Sequence, residues 1–241
     1  MRVKNVESCA HAREYQLLLF RADSTASLRD FSGHITDAVA HEDRAFTMEL
    51  ALNDVSEGDS IAGEVATRES LPDAILSLYG DDARNPFDTA RRLAMRIRPL
   101  LDQQASSVLV ADRYQLLPGH GPVRIYYGLH RLERLSRQEF QHYWLHTHAD
   151  IGRRLIPPYS YIQSHADAGL TGAFADACGL GSSTLDGIVT VHFPDLQACR
   201  RQLAREDVGE IALEDERRFI DHNRVQFGVY SVRRWETGDT G

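Results

Sequence analysis

The sequence predicts an α+β fold built from two halves of the same element order, β-α-β-β-α-β. Three observations predict it. Short runs rich in Val, Leu, Ile and Tyr alternate with stretches of helical spacing, and the series occurs twice. Between the two series stands Pro118-Gly-His-Gly-Pro122, where two prolines and two glycines stop both helices and ladders. The first helix of each half also opens alike, Ser27-Leu-Arg-Asp-Phe31 against Ser136-Arg-Gln-Glu-Phe140. This is the ferredoxin-like order. Two such sheets pack into a closed α+β barrel that leaves no exposed edge. A tandem chain makes that barrel within one polypeptide, an intrachain pseudo-dimer, although pairing of separate chains as a homodimer stays open.

The first half is read as residues 14–117, after an N-terminal tail of residues 1–13. Tyr15–Phe20 is almost continuously apolar, as in a strand buried on both faces. Ser24 or Ser27 offers an N-cap for a helix running to Ala40. Phe46–Leu52 reads as a second strand and Ile61–Thr67 as a weaker third, followed by a helix over Leu71–Tyr79. Gly80–Pro86 is loop-like, Thr89–Gln104 helical, and Ser107–Leu117 a closing strand.

The linker spans residues 118–122, and the second half covers 123–235 before a tail of 236–241. Its strands are Val123–Leu129, the extended Tyr159–His165, Gly187–Phe193 and Val225–Trp235; its helices are Ser136–Ile151, Leu196–Ala204 and Ile211–Asp221. Ala166–Leu185, rich in Gly, Ala and Ser, reads as a long loop with the makings of a lid.

Composition removes several function classes. With 42% hydrophobic and 26% charged residues, the chain is an ordinary globular one. A net charge of −8 argues against a nucleic-acid partner, which calls for a concentrated basic face. No run approaches the roughly 20 apolar residues that span a bilayer, and Met1–Arg13 lacks the apolar core of a secretory signal. Cys9, Cys178 and Cys199 are too few and too odd for a disulfide framework, so a reducing, cytoplasmic setting is expected. No phosphate loop, dinucleotide fingerprint or hydrolase elbow occurs.

The helix Ser136–Ile151 carries the most chemistry. At 100° per residue with Phe140 as zero, Trp144 falls near 40°, His148 near 80°, Ile151 near 20° and Tyr143 near 300°. These residues form the face that packs on the sheet. His142 and His146 fall on the opposite side, where their i, i+4 spacing lacks a third metal ligand, so no metal is expected. His148 must satisfy two ring nitrogens within the packed layer, either as a structural group bonded to a backbone carbonyl or as an acid/base. Asp215 and Asp221 read as caps or partners at a helix end.

Alternation along the strands places Ile125, Tyr127, Leu129, Val189, Val191 and Phe193 on an oily face beneath the helices. The opposite face then holds Tyr126, His130, Thr190, His192, Gln226 and Tyr230, joined by Tyr161, Gln163 and His165 from the second strand. Aromatic groups with polar tips suit a cavity for a small polar or aromatic molecule better than a solvent face or a plain core.

The run Leu135-Ser-Arg-Gln-Glu-Phe-Gln-His-Tyr-Trp144-Leu-His-Thr-His148-Ala-Asp resembles the EthD family pattern, in which a Phe precedes a Trp and then His-Ala-Pro-Leu. Tyr161-Ile-Gln-Ser-His165, Asp186-Gly187 and Asp215-Glu-Arg-Arg-Phe219-Ile-Asp221 resemble its later elements in the same order. The departure is Asp150-Ile151, where the family shows Pro-Leu; in the first half Ile35 and Val39 stand opposite Trp144 and His148, so that half lacks the signature. The resemblance implies a dimeric α+β barrel and small-molecule chemistry of the kind its relatives perform. Those relatives include ether-degradation auxiliaries, muconolactone isomerases, polyketide cyclases and cofactor-free monooxygenases.

The expected function is therefore a cofactor-independent enzyme working by acid/base chemistry (isomerisation, dehydration or cyclisation) on a small aromatic or lactone-like molecule. His148, His165 and His192 are the candidate acid/base groups; Tyr126, His130, Tyr161, Gln163, Trp144 and Tyr230 are the candidate substrate-binding groups. Two rivals remain. One is a cofactor-free or haem-dependent oxidase, the other a non-catalytic carrier that binds its ligand saturably without turnover.

Overall fold

The structure, a computed structural model, describes residues 10–42, 45–54, 70–80, 85–156 and 158–236. Strands β1 (Ala10–Leu19), β2 (Thr47–Leu52), β3 (Ala74–Tyr79) and β4 (Ser107–Leu117) come from the first half. From the second come β5 (Val123–Leu129), β6 (Tyr161–Ala166), a two-residue β7 (Gly181–Ser182), β8 (Gly187–Phe193) and β9 (Gln226–Trp235). They run β1-β3-β2-β9-β5-β8-β6-β4, and β4 pairs again with β1, so eight antiparallel strands close into a barrel. Each half supplies a ferredoxin-like sheet. The seams are β2 on β9 and β4 on β6, where each half pairs with the other.

Helices cover the outside of the barrel. In α1 (Leu28–Ala40), Ser27 caps the N-terminus by accepting from the Asp30 amide, and Phe31, Ile35, Ala38 and Val39 form the buried stripe. With Ala90, Leu93, Ala94 and Ile97 of α2 (Phe87–Ile97), that stripe packs on Tyr15, Leu17, Leu19, Met48, Leu50 and Leu76. In the second half, α3 (Arg137–Tyr143) begins at a capping box in which Ser136 and Glu139 satisfy each other's backbone amides. It continues through a π-helical turn, Trp144–His148, into α4 (Ala149–Leu155). Helices α6 (Leu196–Leu203) and α7 (Glu206–Glu216) complete the layer. Phe140, Trp144 and Phe219 pack there against Ile125, Tyr127, Leu129, Val191 and Phe193, the oily strand face that alternation anticipates.

Two elements differ in type from expectation, and the helix expected over Ile211–Asp221 lies instead at Glu206–Glu216. The predicted helix over Leu71–Tyr79 is instead the strand β3, whose six residues are all buried. Buried on both faces, Ala74-Ile-Leu-Ser-Leu-Tyr79 has no polar alternation to distinguish it from a core helix. The predicted third strand, Ile61–Thr67, lies outside the described residues. The predicted loop over Ala166–Leu185 instead contains α5 (Ala168–Cys178). Asp167 caps it by accepting from the Leu170 amide, and Gly179, at φ 63°, ends it in the left-handed conformation. Its Phe174, Ala175 and Cys178 join the first half's core, with Phe174 edge-on to Tyr15 at 4.9 Å. This segment of the second half thus serves the first.

Among the described residues, no helix is long and apolar enough to cross a membrane.

Candidate functional site

The π turn sets the position of His148. An α-helix drifts about 40° for every four residues, because four residues overrun its 3.6-residue turn. The wider turn over Trp144–His148, closed by the Ala149 amide on the Trp144 carbonyl, opposes that drift. His148 therefore stays in the packed layer, with its side chain 8% exposed. Its Nδ1 lies 2.8 Å from Asp215 Oδ2, and the Tyr143 hydroxyl donates to Asp215 Oδ1 at 2.6 Å. A carboxylate only accepts, so Nδ1 carries a proton and, in the neutral ring, Nε2 carries the lone pair. Arg218 Nε stands 3.7 Å from the same carboxylate. The Tyr143 hydroxyl is held above its ordinary range by desolvation and by its bond to Asp215.

Beside this dyad lies a buried polar chain. Trp144 stacks on His165, ring centroids 4.5 Å apart and planes 6° from parallel. His165 Nε2 lies 3.0 Å from Gln163 Oε1. The Gln163 amide nitrogen donates to the Tyr161 hydroxyl at 2.7 Å and to the Trp144 carbonyl at 3.2 Å, pinning the π turn. Trp144 Nε1 is buried and faces the Tyr161 hydroxyl without making a proper hydrogen bond. Burial, with a smaller push from His146, lowers His165 to about 3, so it is neutral near pH 7. Burial also pushes the Tyr161 hydroxyl well above its usual range. Two glycines make room for the layer: a Cβ on Gly187 would meet the Trp144 ring at 2.4 Å, and one on Gly152 the Tyr161 ring at 2.3 Å.

Tyr161, Gln163 and His165 thus lie on the helix-facing side of β6, not on the opposite side with Tyr126 and His192. Ile162 and Ala166 point the other way, Ala166 into the apolar part of the lumen, and Ser164 bonds Glu14. The apolar residue of an alternating strand was expected under the helices; here the polar ones are, because a hydrogen-bonded chain satisfies them.

The barrel lumen holds the rest. Tyr126 donates to Gln226 Oε1 at 2.8 Å, and Tyr230 to the Pro72 carbonyl at 2.9 Å; their rings meet edge-on in an apolar cluster with Leu18, Ile75, Leu109 and Ile188. His130, just beyond β5, is buried. His192 faces Glu49 of the other half, Nε2 to Oε2 3.6 Å. Tyr79 donates to Glu49 Oε1 at 2.7 Å, and Arg124 Nη1 is 3.5 Å from Oε2. Burial alone would raise Glu49, but His192, the Arg124 and Arg113 guanidiniums and Tyr79 outweigh it and hold the carboxyl at about 2. Burial lowers His192 to about 4 against the pull of Glu49, so the imidazole is neutral near pH 7.

Of the nine candidate residues, five (Trp144, His148, Tyr161, Gln163 and His165) converge in the helix–sheet layer. Tyr126, His192 and Tyr230 line the lumen. Residues 132–223 match the EthD domain family. The second half of the chain carries an EthD domain. No curated protein matches the chain. Among solved structures, an anthrone oxidase-like protein superposes with a TM-score of 0.57 at 9% identity, over 98% of this chain and 97% of that one. A candidate monooxygenase from Fusobacterium nucleatum gives 0.55 at 7%, over 96% of each chain. A chlorite dismutase variant from Candidatus Nitrospira defluvii gives 0.50 at 11%, over 93% of this chain and 92% of that one. At such identities the likeness establishes the fold.

The EthD domain contains both His148 and Asp215, a pair 67 residues apart that no local spacing could reveal. Asp215 appeared in the sequence as a cap or partner and at the head of the motif that resembles the family's closing helix. Glu49, Arg113, Arg124 and Tyr79 were not singled out; each is a polar residue in an apolar strand, which is the available signal. His142 and His146 are exposed, and no metal-holding group of three is present among the described residues. Haem does not fit the helix–sheet layer as packed. Phe140, Trp144, Tyr161 and Phe219 fill it, each at most 2% exposed, and a porphyrin would have to displace them.

Proposed function

We propose that the EthD domain uses His148 as a general base that removes a proton from a small, weakly acidic organic molecule, aromatic or lactone-like. The observation that supports this is the Asp215 carboxylate on His148 Nδ1. It fixes the tautomer and ring orientation, presents Nε2 as the basic nitrogen, and stabilises the imidazolium formed on proton uptake. Tyr143 holds the other oxygen of Asp215, so the carboxylate cannot rotate away. The proton taken at Nε2 is then returned to another atom of the substrate in an isomerisation or cyclisation, or to a leaving group in a dehydration.

An oxidase is the second reading, and it draws on the anthrone oxidase-like relative of the same fold. It asks for the same first step: a carbanion made by proton removal is what reacts with molecular oxygen. Anthrone itself, a ketone with an acidic ring methylene, tests both. Under nitrogen in deuterium oxide, the protein should accelerate exchange of that methylene. His148→Ala should lower the acceleration by about 100- to 10,000-fold, the usual contribution of a positioned base. Wild-type exchange by His148→Ala would remove the proposal. Oxygen uptake in air separates oxidase from isomerase chemistry.

A further inference from the structure

Buried polar atoms inside the barrel are poorly matched to one another. Arg113, 6% exposed, lies over the Tyr79 ring at 4.1 Å. Arg124 is 2% exposed, and its Nε has no partner. Gln16 and Ser77 stand opposite one another on β1 and β3, Ser77 stands opposite Glu49 on β2, and neither Gln16 Oε1 nor Ser77 Oγ is satisfied. His192 Nδ1 lies 3.1 Å from the Gly121 carbonyl, which only accepts, so Nδ1 carries the proton of the neutral ring. Its Nε2 is then an acceptor without a hydrogen-bond partner, 3.6 Å from a second acceptor, Glu49 Oε2. Native interiors seldom leave so many polar atoms unmatched in one place.

The unmet demands are of two kinds. Arg113, Arg124 and Arg234 share the one carboxylate of Glu49, and a second carboxylate matches the fork of the two buried guanidiniums. The unpartnered His192 Nε2 calls for a hydrogen-bond donor. The lumen is bounded by Arg234, whose side chain is a quarter exposed, so a small molecule meets solvent on that side.

We propose that the lumen binds a small carboxylate bearing a hydrogen-bond donor on the neighbouring carbon, with the carboxylate on Arg113 and Arg124 and the donor on His192 Nε2. Both halves contribute: Glu49 and Arg113 from the first, Arg124 and His192 from the second. This site is separate from His148, and the proposal stands or falls independently of the base assigned there.

Titration calorimetry on the full chain with glycolate, acetate and glycolamide tests it. Glycolate should bind saturably, acetate about tenfold more weakly, and glycolamide more weakly still. Arg113→Gln should weaken glycolate at least tenfold, and Arg113→Lys should recover part of the loss; the lysine variant also serves if the glutamine variant does not fold. His192→Leu should bring glycolate down to the affinity of acetate. No saturable heat from glycolate would mean that water alone bridges these groups, and it overturns the proposal. So does glycolamide binding as well as glycolate, or an Arg113→Gln variant with wild-type affinity.

Discussion

At the scale of single residues, the helix–sheet layer depends on absent side chains as much as on present ones. Gly152 lies against the fully buried Tyr161 ring, which is itself hydrogen-bonded and cannot swing aside. Gly152→Ala is therefore expected to destabilise the protein by about 2 kcal/mol, the usual cost of overpacking, read as a lower urea midpoint. A helical glycine replaced by alanine on an open surface would instead gain stability, so the sign of the change reports the contact. That Phe140, Trp144 and His148 share the buried face was legible in the sequence because 3.6-residue spacing reaches that far. The Asp215 partner was not, since only the fold brings α7 beside the π turn. His165 shows another limit: alternation tells which residues of a strand share a face, not which face is which. Tyr161, Gln163 and His165 were grouped correctly and turned the wrong way.

At the scale of elements, one buried carboxylate ties three of them together. Asp186, 2% exposed, precedes β8 and accepts from the Arg131 amide at 3.0 Å, from Arg131 Nη1 at 2.7 Å and from Arg137 Nε at 3.0 Å. It thereby fixes the connection from β5 to α3, and with it the start of the site helix. Asp186→Ala removes all three bonds, and the two arginines it abandons are about one-third exposed, so water compensates them in part. The expected cost is about 2 kcal/mol, measured by urea unfolding, with loss of His148-dependent exchange at temperatures where the variant is still folded. The elements misread from sequence share one physical cause. The strand β3 lacks polar alternation because both its faces are covered, and α5 was taken for a loop because small residues dominate it. The caps Asp167 and Gly179 were the available sign of that helix, and they outweigh its composition.

At the scale of the whole molecule, acid should unfold the barrel through its buried interior. Glu49 is held at about 2, below an ordinary carboxyl, while His192 at about 4 and His165 at about 3 are below an ordinary imidazole. In all three the native state binds protons less readily than the unfolded chain, so stability rises with pH across each interval. The histidines contribute fully above about pH 6.5, and their share falls away as the pH drops through 6.5 toward 4 and 3. The share from Glu49 falls between the ordinary carboxyl range and about 2. Urea midpoints should thus decline steadily from pH 7 to pH 4, and His165→Asn should flatten part of the slope. A midpoint unchanged over that range would contradict the buried neutral state of these rings. Because both seams close within one chain, the midpoint should also be independent of protein concentration.

That closure frees the interior from symmetry. A barrel assembled from two identical chains repeats every inward side chain across its axis, so a lone acidic group must tolerate its own image. Here Glu49 stands on β2, while the strand in the equivalent place, β6, turns Ser164 inward instead and bonds it to Glu14. The lumen can consequently be polarised, with Arg124 and Arg234 gathered around Glu49 while Glu14 takes a hydroxyl partner instead. Fusion turns a space that symmetry would make even-handed into one with a single direction.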